Sequence, residues 1–193
     1  IYHKMISHSH KFIFIHINRT GGTSVEHALS AFGGVNKWED FNRHDGAGKI
    51  SEKPEWNDYF KFSIVRNPWD KEFSDYKWHK KLKHKKVSAD STFKDYLLLP
   101  EQTKGKGLFR WHSNQYDWLI SKNGKLEIDF VARFENLQED FYKICQNINI
   151  DPISLPHKNK TKKLDYRQFY TDETYSWVKA NYKKDIDYFN YKF

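Results

Sequence analysis

The sequence predicts an α/β fold of three layers, with helices on both faces of a central parallel sheet. Three stretches predict it. Phe12 to Ile17 is a mostly β-branched and aromatic run that enters a loop with Gly21 and Gly22, and a helical pattern follows with Val25, Ala28, Leu29 and Phe32 on one face. Tyr59 to Val65 alternates Phe60, Phe62 and Ile64 with Lys61 and Ser63, then ends in Arg66-Asn67-Pro68, where proline suits the first position of a helix. Ile128 to Ala132 is a third strand, followed by Leu137, Phe141, Ile144, Cys145 and Ile148 at helical spacing. Strands that alternate with helices form a parallel sheet covered on both faces.

The elements follow in order. Ile1 to His10 reads as a ragged end with Met5 as a possible start, and 11–193 reads as a single domain. Gly33-Gly34 stops the first helix. Residues 35–57 are polar and read as irregular, with His44-Asp45-Gly46-Ala47-Gly48 in their middle. Trp69, Phe73 and Tyr76 then fall at helical spacing, which predicts a helix of roughly four turns. It runs into a basic stretch, 77–86. Ser91 to Leu99 reads as a short helix closed by Pro100, 101–114 as a loop, and Gln115 to Ile120 as a short helix before the turn at Asn123-Gly124. Asn136-Leu137-Gln138-Glu139 resembles a capping box. A basic loop spans 156–163, and a last helix starts near Thr171 and carries Tyr175, Val178 and Tyr182.

Composition bounds the class. At 193 residues, one domain with a proper core is expected. Aromatics are 18%, so the core is built from rings, and disorder is disfavoured despite 30% charged residues. The net charge of +8 points to an anionic partner, although a Lys-rich soluble surface explains the charge equally well. Cys145 is the one cysteine, which excludes an intramolecular disulfide and a cysteine metal cluster. The run at 12–17 is too short to span a membrane, and a cytoplasmic chain is expected.

The order strand, glycine-rich turn, helix N-terminus makes an anion site, because first-turn N–H groups and the helix dipole favour negative charge there. Gly21 and Gly22 let the backbone bend around an oxyanion, Thr20, Thr23 and Ser24 add hydroxyls, and Arg19 adds a positive fork. Ligands of such sheets bind at the carboxyl ends of strands, where both this loop and Arg66 lie. The loop lacks the lysine and the glycine arc of a nucleoside triphosphatase, and no apolar run ends in an Asp for Mg²⁺.

Together, Asn18-Arg19-Thr20-Gly21-Gly22-Thr23-Ser24 and Arg66-Asn67-Pro68 with Ser74 resemble the two phosphate loops of the 3′-phosphoadenosine-5′-phosphosulfate-dependent sulfotransferases, most of all their carbohydrate-modifying branch. Ala132 to Leu137 and Leu155 to Thr161 also look like family segments. The resemblance implies a P-loop-like (nucleotide-hydrolase-like) fold without a metal. It also implies in-line sulfuryl transfer from that donor to an acceptor hydroxyl, with adenosine 3′,5′-bisphosphate as product. Arg19 would stabilise the sulfuryl oxygens, and Thr20, Gly21, Gly22, Thr23 and Ser24 would hold the 5′-phosphate. Arg66 and Ser74 would bind the 3′-phosphate, and Lys160 and Thr161 would close over the nucleotide. The chain departs from the family at Arg19, where lysine is usual, and at Lys71, where arginine is usual.

For the acceptor's base the resemblance points to His44, between the two loops, with Asp45 and His112 in reserve; imidazole titrates near neutrality and contributes roughly 10²–10⁴-fold. His16 reads as a satisfied core histidine. The stretch 77–86, with Trp78 and His79, suits an acidic glycan, and a solvated helix end suits it as well. Gln115, Tyr116 and Trp118 either touch ligand or pack in the core, and Arg133 with Glu135 reads as a structural pair. Two other functions stay open: a polyanion-binding module, in which nucleic acid is disfavoured by the two separate loops, and a P-loop-type nucleotide kinase. Acceptor identity and oligomeric state are not encoded legibly.

Overall fold

The computed structural model describes residues 6–30, 45–81, 90–98, 113–156 and 164–193. Met5, Phe32, Gly33-Gly34, His44, Pro100, His112, Lys160, Thr161 and the whole of 82–89, 101–112 and 157–163 lie outside the described residues. The fold is mixed α/β, a four-stranded and mostly parallel sheet flanked by helices. The described residues divide into two compact units, one from residues up to 66 and from 115 to 156, the other from 67 to 114 and from 164 on.

The first unit holds the sheet, with β1 (Ile6–Ser7), β2 (Phe12–Ile15), β3 (Phe60–Val65) and β4 (Phe130–Arg133) in that spatial order. β2 and β3 are parallel, with Phe14 opposite Phe62, and β3 and β4 are parallel, with Phe62 opposite Phe130. β1 departs from the all-parallel expectation. It pairs antiparallel to β2, Ile6 opposite Ile13, and both of its residues are buried. Two residues in a segment read as ragged are too short a run to show period-two patterning.

One sheet face is a row of rings. Phe12, Phe14, Phe60, Phe62 and Phe130 point the same way because strand side chains alternate, and Phe14 stacks on Phe62 at 4.9 Å between centroids. Against them lie Val25, Ala28 and Leu29 of α1 (Gly22–Ser30). Phe141, Ile144 and Cys145 of α6 (Leu137–Asn147) complete that core. Each such side chain contributes roughly 1.5–3 kcal/mol on full burial, so helical stripe and strand face fix one another. The opposite face, with Ile13, Ile15 and Val65, is buried too. Ser63 sits there fully buried, and its hydroxyl is satisfied by donating to Ile15 O at 2.7 Å.

Residues 45–57 are more ordered than their polarity suggests. α2 (Ala47–Ile50) and a 3₁₀ turn, Pro54–Trp56, bury Ala47, Ile50 and Trp56. α5 (Gln115–Trp118) is short, as expected. The capping box read at Asn136 is absent: a 3₁₀ turn, Phe134–Asn136, leads straight into α6, and Asn136 makes no side-chain cap bond.

The second unit holds α3 (Pro68–Lys81), α4 (Phe93–Leu97), α7 (Asp172–Asn181) and α8 (Lys183–Phe189). Capping boxes do occur here, Thr92 with Asp95 and Thr171 with Thr174. The single last helix expected from the spacing is two, broken at Tyr182. Its core is aromatic: Trp69, Phe73, Phe93, Tyr96, Tyr166 and Tyr182 surround Leu97 and Val178.

Candidate active site

Between β2 and α1 the chain turns through Asn18 to Gly21. Arg19 takes a left-handed conformation (φ 63°), as does Gly21 (φ 86°). For arginine this costs roughly 1–2 kcal/mol, because its Cβ crowds the carbonyl; for glycine it is free of that clash. Two bonds hold the turn. Thr20, fully buried, donates its hydroxyl to Ile17 O at 2.8 Å, and Ser24 N–H donates to Gly21 O at 3.0 Å. The Thr20 hydroxyl proton is thus spent inside the turn. Asn18 is buried, and its Nδ2 amide has no hydrogen-bond partner among the described residues.

Arg66 follows β3 directly. Its Nη1 donates to Arg19 O at 2.9 Å, and its guanidinium lies 3.9 Å above the Phe134 ring. The main chain of Arg66 is clamped by one side chain. Arg66 N–H donates to Gln115 Oε1 at 2.8 Å, and Gln115 Nε2 donates to Arg66 O at 2.8 Å. Gln115, fully buried, extends the sheet's hydrogen bonding past the end of β3 with an amide in place of a strand. The two motif arginines therefore meet in one place, joined by a charge-assisted bond.

Both glycines of the loop are required sterically. A Cβ on Gly21 would stand 2.7 Å from Leu137 Cδ2, and one on Gly22 would stand 2.4 Å from the His16 ring. His16 is buried and Nδ1 lies 2.7 Å from Glu26 Oε1, an equally buried carboxylate one helical turn past Gly22.

Asp45, a reserve for the base, is buried and accepts from Lys49 Nζ at 3.0 Å. Tyr116 is half-buried and Trp118 is buried. The Arg133 N–H is capped by Asp140 Oδ2 at 2.8 Å.

Ser74 lies on α3 of the second unit and is buried, among Lys71, Glu72 and Asp75, which are buried as well. This helix carries a charged interior. Tyr182 donates to Glu72 Oε1 at 2.5 Å, Tyr96 donates to Asp75 Oδ2 at 2.7 Å, and His79 lies 3.7 Å from Asp75. Burial, reinforced by the nearby Glu72 charge, pushes the Asp75 carboxyl above its ordinary value against the pull of Lys71 and His79. Burial and Glu72 likewise raise the Tyr182 phenol well above its ordinary range. Of the basic stretch, Lys77 and Lys80 lie over the rings of Phe73 and Tyr76.

No local pattern in the sequence marks the Gln115 clamp or the His16–Glu26 pair. Gln115 reads there as a ligand contact or a core residue, and His16 pairs across a loop and a helical turn.

The chain matches the family model described as Sulfotransferase family over residues 2–192. No curated protein matches it. The chain belongs to the sulfotransferase family, and its chemistry is sulfuryl transfer to an acceptor hydroxyl.

Proposed function

We propose that the donor is 3′-phosphoadenosine-5′-phosphosulfate and that the acceptor hydroxyl is on a carbohydrate. The observation that carries the donor reading is the bond from Arg66 Nη1 to Arg19 O, which joins the two anion motifs. The residues present fit such a donor. The turn supplies a helix N-terminus, a cationic fork and, at Asn18, a buried amide donor with no partner among the described residues.

When bound, the donor supplies an activated sulfuryl group and a phosphate leaving group. The chain's own work is positioning and charge stabilisation. Arg19 sets its charge against the sulfuryl oxygens and the leaving oxygen. Gly21, Gly22, Thr23 and Ser24 present backbone and hydroxyl donors to the 5′-phosphate, and Thr20 contributes by closing the turn. Arg66, already shared with the loop, serves a phosphate of the donor. Ser74, and Lys160 with Thr161, are assigned to the nucleotide by motif alone. His44 takes the acceptor proton, and no metal takes part. The reaction runs in a single domain, in the cytoplasm; among the described residues no helix is long and apolar enough to cross a membrane.

A thermal-shift panel tests the donor. At one hundred times Kd a ligand adds about 2.7 kcal/mol, or about 5–11 °C in a chain of this size. Adenosine 3′,5′-bisphosphate without metal raises the midpoint by that order, and ATP with Mg²⁺ does not; the reverse result sinks the proposal. His44→Ala removes turnover and leaves bisphosphate affinity near normal; unchanged turnover rejects His44 as base.

A further inference from the structure

His16 stands directly beneath the turn. Its ring is fixed on three sides. Phe14 stacks on one face at 5.4 Å between centroids and 18° between planes. Glu26 holds Nδ1 at 2.7 Å. The Cδ2–Nε2 edge fills the space where a Gly22 side chain would be, 2.4 Å from an ideal Cβ. Gly22 and Glu26 are four residues apart on α1 and so share one helix face. The imidazole therefore touches the first residue of α1 and the residue one turn later, from the end of β2.

A buried polar pair is a poor way to gain stability alone, since its hydrogen bond does little more than offset the desolvation of its two members. What the pair adds is direction. An apolar contact lets α1 slide or roll on the sheet. A single hydrogen bond at Nδ1 fixes the rotation of α1 about its axis, and the ring edge fixes the height of its first turn. Those two quantities aim the amides of Gly22 to Ser24.

Resting on the donor reading above, we infer that His16 and Glu26 form a positioning pair that sets the helix N-terminus on which the donor's 5′-phosphate is held. Neither residue touches the donor. Loss of one well-aimed hydrogen bond from a backbone amide to a charged phosphate weakens binding about tenfold or more, so a partial release of α1 weakens donor engagement by that factor.

The test uses calorimetric titration with adenosine 3′,5′-bisphosphate on the whole chain, with the thermal midpoint measured beside it. His16→Asn keeps a donor near the Nδ1 position and removes the ring edge from Gly22. Glu26→Met keeps length and bulk and removes the acceptor, so the bond to Nδ1 is lost. Both are expected to weaken affinity at least tenfold in folded protein and to raise the donor KM by a similar factor. Should His16→Asn not fold, Glu26→Met carries the test. The contact at Gly22 gives a second readout: Gly22→Ala weakens binding in the native background and adds no further loss after His16→Ala. Wild-type binding with affinities within twofold in the folded variants, whatever their midpoints, overturns the inference and leaves the donor reading standing. No binding by the wild type overturns the donor reading and this inference with it.

Discussion

Arg66→Lys separates charge from shape at the meeting point of the two motifs. Lysine keeps the positive charge and loses the fork. The bond to Arg19 O at 2.9 Å and the stack on Phe134 at 3.9 Å are lost. A hydrogen bond from a charged group is worth roughly 1.5–3 kcal/mol, and a cation over a ring at a partly exposed site about 0.5–1 kcal/mol. The sum is about 2–4 kcal/mol. At about 2–4 °C per kcal/mol in a chain of this length, the midpoint falls by several degrees. Affinity for adenosine 3′,5′-bisphosphate falls further, because the lost bond also held the left-handed backbone of Arg19. Titration calorimetry and thermal unfolding on the same preparations measure both. The coupling is checked with Arg19→Gly, which relieves the roughly 1–2 kcal/mol of left-handed strain. In that background Arg66→Lys lowers the midpoint less than in the native chain. Strictly additive losses, or an affinity within twofold of native in Arg66→Lys, would refute the argument that Arg66 holds the turn.

Other outcomes follow from the same geometry. Gln115→Leu keeps bulk and unpairs both main-chain groups of Arg66, and each buried unsatisfied group costs about 1–3 kcal/mol; a midpoint unchanged in thermal unfolding would contradict the clamp. Tyr182→Phe strips Glu72 of a donor in a fully buried setting and lowers stability by about 1–3 kcal/mol in urea titration, while an unaltered urea midpoint would argue against that bond. Asp75 holds its proton to higher pH folded than at its ordinary 3.8. Its contribution is fully present below that value and is lost as pH rises through the folded pKa. Asp75→Asn therefore flattens the decline of the thermal midpoint on the alkaline side of 3.8, and parallel profiles for the two proteins would refute the shift.

β2, β3 and the two anion motifs are legible because each is dense. Phe12 to Ile15 is a continuous apolar run, Phe60 to Val65 alternates apolar residues with Lys61 and Ser63, and glycine and proline mark where each ends. Sparse elements are not. α2 and the Pro54–Trp56 turn bury only three residues between them, too few to stand out in a polar stretch. α8 opens on Lys183, Lys184 and Asp185, which mask its buried side. Asn136 carries the letters of a cap without the backbone of one, at φ −123° and ψ 30°. Within the site, the loop and Arg66 were read from motif. What supports them was hidden, because Gln115 and Glu26 act through partners 49 and 10 residues away.

Gln115 has a consequence for how this chain tolerates change. Forty-nine residues separate it from Arg66, yet the two are tied by a reciprocal pair of bonds. The long excursion between them is stapled shut at its root. The excursion carries α3, with Ser74, and α4, and both pack into the second unit's aromatic core. Closing a loop costs only about 0.6 kcal/mol more for each doubling of its length, so insertions or deletions between these helices in sequence strain the staple little. The arginine at its base keeps its place while the stretches that join the helices change in length.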